Sequence, residues 1–154
     1  MDASIKIRQF SSADAERVKE IENAAIQYVT PLRQLALYYK IIPEGFLVAE
    51  VDGNVVGYIV ANLREQQGKE EGHILSIAVD SAYRRRGLGT ELIKEIVKVF
   101  QNNGIRLLSL EVKASNDDAR KFYLNLDFEE AGILKRYYRG RGYTEDAVVM
   151  TKRI

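Results

Sequence analysis

Ser76-Ile77-Ala78-Val79-Asp80-Ser81-Ala82-Tyr83-Arg84-Arg85-Arg86-Gly87-Leu88-Gly89-Thr90-Glu91-Leu92-Ile93 opens as an apolar strand and closes as an amphipathic helix, with three arginines and two glycines in the short loop between. Glycine lets the backbone turn tightly and come close to a ligand. The first N–H groups of the following helix have no partner within it, and the helix dipole favours an anion at that end. The arginines add positive charge at the same spot, so the loop is a candidate seat for a pyrophosphate. Two familiar phosphate loops fit poorly. A P-loop requires Lys and then Ser or Thr after its second glycine, where this chain has Thr90-Glu91. A dinucleotide fingerprint requires Gly or Ala where this chain has Leu92. The plain alternative is a basic, solvated turn before a surface helix, and the rest of the chain decides between the two.

Size and composition narrow the classes. The 154 residues suit one domain, 1–154, with one core. At 46% hydrophobic and 29% charged residues, the composition is that of a globular protein and excludes a disordered one. No apolar run approaches the roughly 18 residues of a membrane span. Met1-Asp2-Ala3-Ser4-Ile5-Lys6 lacks a signal peptide's apolar region. The expected location is therefore cytoplasmic, with no membrane partner. Cysteine is absent, which removes disulfides, thiolate metal sites and a covalent cysteine intermediate. A single histidine, His73, leaves no multi-histidine metal site, so no metal is expected. A net charge of +1 supplies no bulk attraction for nucleic acid, and no specific nucleic acid is expected.

Outward from the loop, periodicity predicts the elements. Residues 5–10 alternate as a half-buried strand. A helix capped by Ser11 or Ser12 runs to about Gln27, and a second runs from Pro31 to Tyr39. Strands are predicted over 46–51 and 55–61, joined by a hairpin turn at Asp52-Gly53-Asn54. Residues 64–72 read as a polar loop, with a role in substrate entry. His73 to Val79 is apolar on both faces and hence central. Leu88, Leu92, Ile96 and Phe100 step by four along the next helix. Strand 107–113 follows, then a helix from Ser115, with Ser115 and Asp118 in capping-box spacing. A strand over 128–136, a loop over 137–144 and a last strand over 147–151 complete the chain. Antiparallel runs around a central βαβ crossover imply a mixed sheet with helices on both faces.

That order, with Arg84-x-x-Gly87-x-Gly89, resembles the GNAT acetyltransferase superfamily over nearly the whole chain. Three segments carry the resemblance: Ser76-Ile77-Ala78-Val79 with Tyr83 to Gly89, Leu110-Glu111-Val112-Lys113-Ala114-Ser115-Asn116, and Ala119 to Phe128. Together they are similar to the branch that acetylates protein N-termini, the bacterial ribosomal-protein and archaeal enzymes. Gly72-His73, Tyr137-Tyr138-Arg139, Glu145-Asp146-Ala147 and Met150 add to this. One departure is Leu126-Asp127-Phe128, where the family more often shows Leu-Gly-Phe; Asp127 takes a left-handed turn less comfortably than glycine does. The resemblance implies an α/β GNAT fold with a twisted, mainly antiparallel sheet, and acetyl-CoA as co-substrate.

It also implies direct attack of a protein or peptide α-amine on the thioester, without a covalent enzyme intermediate. Glu111 lies between Leu110 and Val112 on a buried strand, where desolvation would raise a carboxylate's pKa toward that of a neutral-pH base; the resemblance places the base there too. A structural ion pair is its plain reading. His73 on the neighbouring strand suits proton transfer, or is a strand-end histidine bonded to backbone. By resemblance Tyr123 is the general acid, and Asn116 holds the pantetheine arm unless it is simply a cap. Ile77, Ala78 and Val79 offer backbone to pantetheine, and Arg84, Arg85, Arg86, Gly87, Leu88, Gly89 and Thr90 hold the pyrophosphate. Tyr28 and Tyr138 are substrate-binding candidates. Lys135, Arg136, Arg139 and Arg141 form a basic cluster that is either a solvated face or a dock for a ribosome or nascent chain. The alternatives are a GNAT enzyme acting on lysine side chains or a small amine, and a non-catalytic acyl-CoA- or RNA-binding module.

Overall fold

The computed structural model describes residues 4–25 and 41–154. The elements are β1 (Ile5–Gln9), α1 (Ala15–Ala25), β2 (Ile41–Val51), β3 (Asn54–Gln66), β4 (Lys69–Val79), α2 (Leu88–Asn102), β5 (Leu107–Lys113), α3 (Asp117–Leu124), β6 (Glu129–Gly140) and β7 (Tyr143–Arg153). The seven strands form one sheet in the order β1-β2-β3-β4-β5-β7-β6. Every neighbouring pair is antiparallel except β4–β5. This is the mixed, mainly antiparallel sheet that the sequence predicts. The helix expected from Pro31 to Tyr39, and with it Tyr28, lies outside the described residues.

Two expected loops are strands. The polar stretch 64–72 continues β3 and begins β4 around a two-residue turn at Gln67-Gly68, with φ of 53° and 78°. Both residues are left-handed, as a tight hairpin turn requires, and Gly68 adopts that conformation without a Cβ penalty. Likewise 137–144 is the end of a hairpin, with Arg139 opposite Thr144 and Gly140 opposite Tyr143. Polar composition hid both, because these strand ends extend beyond the apolar core.

Period-two alternation sorts the side chains into two cores. Tyr58, Val60 and Val48 pack with Val18 and Ile21 of α1 on one face. Ile59, Ala61, Leu108 and Leu110 pack with Leu88, Leu92, Ile96 and Phe100 of α2 on the other. The four-residue stepping in α2 was legible, and all four residues are at most 2% exposed. Each such side chain contributes on the order of 2 kcal/mol by leaving water. The helices thus cover both faces.

The sheet opens where the chemistry is expected. Strands β4 and β5 pair only at Gly72 with Leu108 and His73 with Ser109. Immediately beyond, Leu75 is an extra residue in β4, since Ile74 faces Ala61 and Ser76 faces Val60. Such a bulge bends and twists its strand. From there β4 keeps only β3 as a partner, and its other edge turns its backbone groups toward a gap.

Helix α3 is fixed at both ends. Asn116, not Ser115, is its N-cap, with the side chain accepting from Ala119 N–H at 3.1 Å. Ser115 instead donates its backbone N–H to Glu145 at 2.9 Å, and its hydroxyl bonds the same carboxylate. At the other end Phe128 N–H bonds Tyr123 C=O and Asp127 N–H bonds Leu124 C=O, both at 3.0 Å. This is a Schellman closure, with Asp127 in the left-handed position at φ 67°. The accompanying apolar contact is Phe128 against Tyr123, with ring centroids 5.4 Å apart. The departure at Asp127 therefore keeps the turn, and the turn holds Tyr123.

Candidate active site

The gap between β4 and β5 is a cleft of about 850 Å³. One wall is Ile74 to Val79 of β4, and the other is Leu110 to Lys113 of β5 with Ala119, Phe122 and Tyr123 of α3. Arg84, Arg85, Gly87, Gly89 and Thr90 close one end, and Glu111 and Tyr138 stand toward the other. At ~3.3 Å per strand residue, the six residues from Ile74 to Val79 separate the two ends by roughly 17–20 Å. The space suits an extended ligand with an anionic end.

The arginine loop has the backbone geometry of an anion seat. Asp80 caps the turn Ser81–Tyr83 by accepting from Ala82 N–H at 2.9 Å, and bonds Arg17 of α1. Arg85 and Gly87 are left-handed, with φ of 64° and 77°. Alternating backbone hand of this kind turns successive N–H groups to one side and forms an anion-binding concavity. The first helical bond of α2 runs from Glu91 N–H to Gly87 C=O at 3.0 Å. The N–H groups of Leu88, Gly89 and Thr90 precede it and have no intrahelical acceptor. Arg86 departs from expectation. It is not among the lining residues, and its guanidinium lies over the Tyr83 ring, 5.1 Å from the centroid. The other expected cofactor residues, Ile77, Ala78, Val79, Leu88, Asn116 and Tyr123 among them, line the cleft. Asn116 serves as cap and wall together, since capping occupies its oxygen and leaves the amide donors.

At the far end, six polar residues share one sheet face on three adjacent strands. Asn62 pairs with His73 and Arg64 with Glu71 across β3–β4, and His73 pairs with Ser109 across β4–β5. Glu111, two residues beyond Ser109, falls on the same face. His73 Nε2 lies 2.9 and 2.8 Å from Glu111 Oε1 and Oε2, and His73 Nδ1 lies 3.2 Å from Asn62 Oδ1. The ring thus sits between two acceptors, and Nε2 donates to the carboxylate. Tyr137 donates its hydroxyl to Glu111 Oε1 at 3.2 Å. Glu111's side chain is 7% exposed and His73's is 5%. Only Glu111 lines the cleft; His73 stands behind it.

The raised pKa expected for Glu111 is overturned. Burial is the largest single influence and pushes it up. The His73 hydrogen bond, the pull of His73 and Arg64, and the Tyr137 hydroxyl together outweigh burial and hold it below its ordinary value. Glu111 is a carboxylate at neutral pH. Tyr123 is buried, which pushes its pKa up and keeps its proton in place. Tyr138 is pushed up by burial first and then by Tyr137 and Glu111. Lys113 Nζ lies over the Tyr138 ring at 5.8 Å.

Sequence reasoning missed Asn62, Arg64, Glu71, Ser109 and Tyr137. The first three sit at or beyond the apolar end of β3 and β4, and reading 64–72 as loop erased the alternation that aligns them. Among the described residues, no group of three or more His, Cys, Asp or Glu is arranged to hold a metal ion. No helix among them is long and apolar enough to cross a membrane.

Comparison with known proteins agrees with this geometry. The family model described as Acetyltransferase (GNAT) family matches residues 15–128. An uncharacterized N-acetyltransferase of Methanocaldococcus jannaschii is 36% identical over 148 residues, 96% of this chain and 90% of the relative. An N-alpha-acetyltransferase of Sulfurisphaera tokodaii is 34% identical over 154 residues, 94% of this chain and 90% of the relative. The crystal structure of Ard1 from Thermoplasma volcanium is similar with a TM-score of 0.83 at 32% identity, covering 97% of each chain. With the anion loop, the split between β4 and β5 and these relatives in agreement, the chain belongs to the GNAT acetyltransferase family and is an acetyl-CoA-dependent N-acetyltransferase.

Proposed function

We propose that the chain acetylates the α-amino group of protein or peptide N-termini by direct attack in a ternary complex. The observation that carries this reading is the placement of one ionised carboxylate, Glu111, with Tyr123 and Tyr138 along the same cleft whose other end is the arginine loop. The name of the Sulfurisphaera relative points the same way.

Acetyl-CoA supplies an acetyl group on a thioester. The arginine loop and the open edge of β4 hold its phosphates and pantetheine arm. Glu111 faces the incoming amine. An α-ammonium of pKa ~8 gives its proton to water at neutral pH for about 1 kcal/mol, whereas a lysine of ~10.4 requires roughly three times more. Glu111 is a poor acceptor for either ammonium, because its pKa is below the ordinary carboxylate value; the transfer would be uphill by more than about 4 kcal/mol. Its role comes later. As nitrogen bonds to the carbonyl carbon, its two N–H protons become strongly acidic, and Glu111 takes one of them directly or through water while the other stays on the amide. The C–N bond forms, the C–S bond breaks, and the Tyr123 hydroxyl gives its proton to the departing sulfur. His73 acts through Glu111, holding both of its oxygens. A site that relies on the amine losing its own proton beforehand favours the α-amine.

The test compares acetyl-CoA turnover on a peptide with a free N-terminus and on an N-terminally blocked copy bearing lysine. The expected result is turnover of the first and little of the second. Equal rates would contradict the reading and favour lysine acetylation.

A further inference from the structure

Arg64 of β3 stands directly opposite Glu71 of β4. Its Nε and Nη2 lie 2.8 and 2.7 Å from Glu71 Oε1. Nη2 also donates to Ser109 Oγ at 2.9 Å, and Ser109 Oγ donates to Glu71 Oε1 at 3.1 Å. The remaining nitrogen, Nη1, lies 3.3 Å from His73 Nε2 and 3.7 Å from Glu111 Oε1. One buried carboxylate therefore braces the guanidinium while its free edge faces a second. A planar, permanently charged fork can do both, and a lysine ammonium cannot.

We propose that Arg64, braced by Glu71 and Ser109, is a positioning residue that keeps the Glu111 carboxylate charged and fixed at the cleft. The proposal rests on the role given to Glu111 above. The groups acting on that carboxylate are His73 from β4, Arg64 from β3 and Tyr137 from β6; Tyr138 of β6 stands beside it and is flanked in turn by Tyr123 of α3 and Glu145 of β7. Lys113 Nζ lies over the Tyr138 ring, and Arg64 is the guanidinium that reaches the carboxylate, at 3.7 Å. Without it, Glu71 and Glu111 would be two buried carboxylates on one sheet face with no guanidinium between them. Like charges so placed favour protonation of one of them.

The chain's one histidine is the reporter. Its ring C–H signals in a ¹H–¹³C NMR spectrum belong to His73 alone. Because Nε2 contacts both Glu111 oxygens, those signals move when Glu111 takes a proton. Titration from about pH 7 to pH 3 follows those signals, and the step that is absent from Glu111→Gln is the carboxylate's. In Arg64→Gln the step is expected to rise by about one pH unit, the scale of losing an opposite charge within 4 Å. In Glu71→Gln it is expected to fall, since Arg64 loses its competing partner and a nearby negative charge disappears. Arg64→Lys should return the step most of the way. At pH 7, Arg64→Gln should lower kcat roughly tenfold, a misplacement effect, with the KM for acetyl-CoA unchanged.

A step that moves by less than about 0.3 pH unit in folded Arg64→Gln overturns the proposal, as does movement in the same direction in both variants. If Arg64→Gln does not fold, Glu71→Gln decides alone, and an unmoved or raised step refutes. Failure of the underlying reading looks different. In that case Glu111→Gln keeps wild-type kcat while the NMR step still follows Arg64.

Discussion

Gly72 packs against Phe100 of α2 and Leu108 of β5, and Gly72→Ala puts that contact under load. Its backbone is not left-handed, so the effect is steric. A Cβ at this position would lie 2.6 Å from Leu108 Cδ2 and 2.8 and 2.9 Å from the Phe100 ring carbons Cδ2 and Cε2. Carbon pairs settle at ~3.5–4.0 Å, so the neighbours must retreat by about 1 Å. Leu108 and Phe100 are both 0% exposed and have nowhere to go. Overpacking of this kind costs about 1–3 kcal/mol. At roughly 2–4 °C per kcal/mol for a chain of this size, Tm should fall by about 2–12 °C. The functional loss should exceed the loss of stability. Gly72 and His73 are the whole of the β4–β5 pairing, so strands pushed apart there carry His73 away from Glu111. Thermal melts and steady-state kinetics check both effects: kcat should fall while the KM for acetyl-CoA, set further along β4, holds. Combining Gly72→Ala with Leu108→Val removes an atom at the clash and should recover part of the lost stability. A Gly72→Ala protein that melts with the wild type, or a double variant whose costs simply add, would refute the reasoning.

Other substitutions test other joints. Asp127→Gly should raise stability by about 0.5–1 kcal/mol in denaturant melts, because glycine takes the left-handed position without the Cβ penalty. Asp14 is held near pKa 2 instead of 3.8, first by its Arg8 hydrogen bond. A depressed carboxylate stabilises the fold above its unfolded pKa and ceases to do so as pH falls through the folded one. Asp14→Asn should therefore cost about 2 kcal/mol at pH 7, and the difference should shrink between pH 4 and pH 2. Tyr123→Phe should lower kcat by about a hundredfold and leave acetyl-CoA binding nearly intact, since the ring still packs on Phe128; raising the pH should not restore the rate.

Much of this fold is legible because burial writes a period into the sequence. Helix α2 shows it by fours, and the central strands show it as continuous apolar runs. The Asp52-Gly53 turn is a recognised hairpin signal and was read as one, but Gln67-Gly68 makes the same backbone turn without the usual Asn or Asp. Missing that turn cost the alternation over 62–73, and with it Arg64 and Glu71. Motif reading picked out Glu111, Tyr123 and the arginine loop, and all but Arg86 of these residues line one cleft. It could not give the sign of Glu111's shift, because burial and ion pairing oppose each other and only the three-strand register shows which side has more partners. Arg86 was also beyond reach: adjacent arginines look alike in sequence, and the loop's left-handed residues send one of them to Tyr83.

Glu111's place in the reaction is tested most directly by the kcat–pH profile of Glu111→Gln on a peptide with a free N-terminus. The variant should lose about a hundredfold near pH 7, the lower end of what proton transfer by a side chain contributes. Because an ionised Glu111 acts after the amine has lost its first proton, the same loss should persist at pH 9, above the α-amine's pKa of ~8. A loss that fades away by pH 9 would make Glu111 the base that deprotonates the ammonium, with the raised pKa that its partners here deny it.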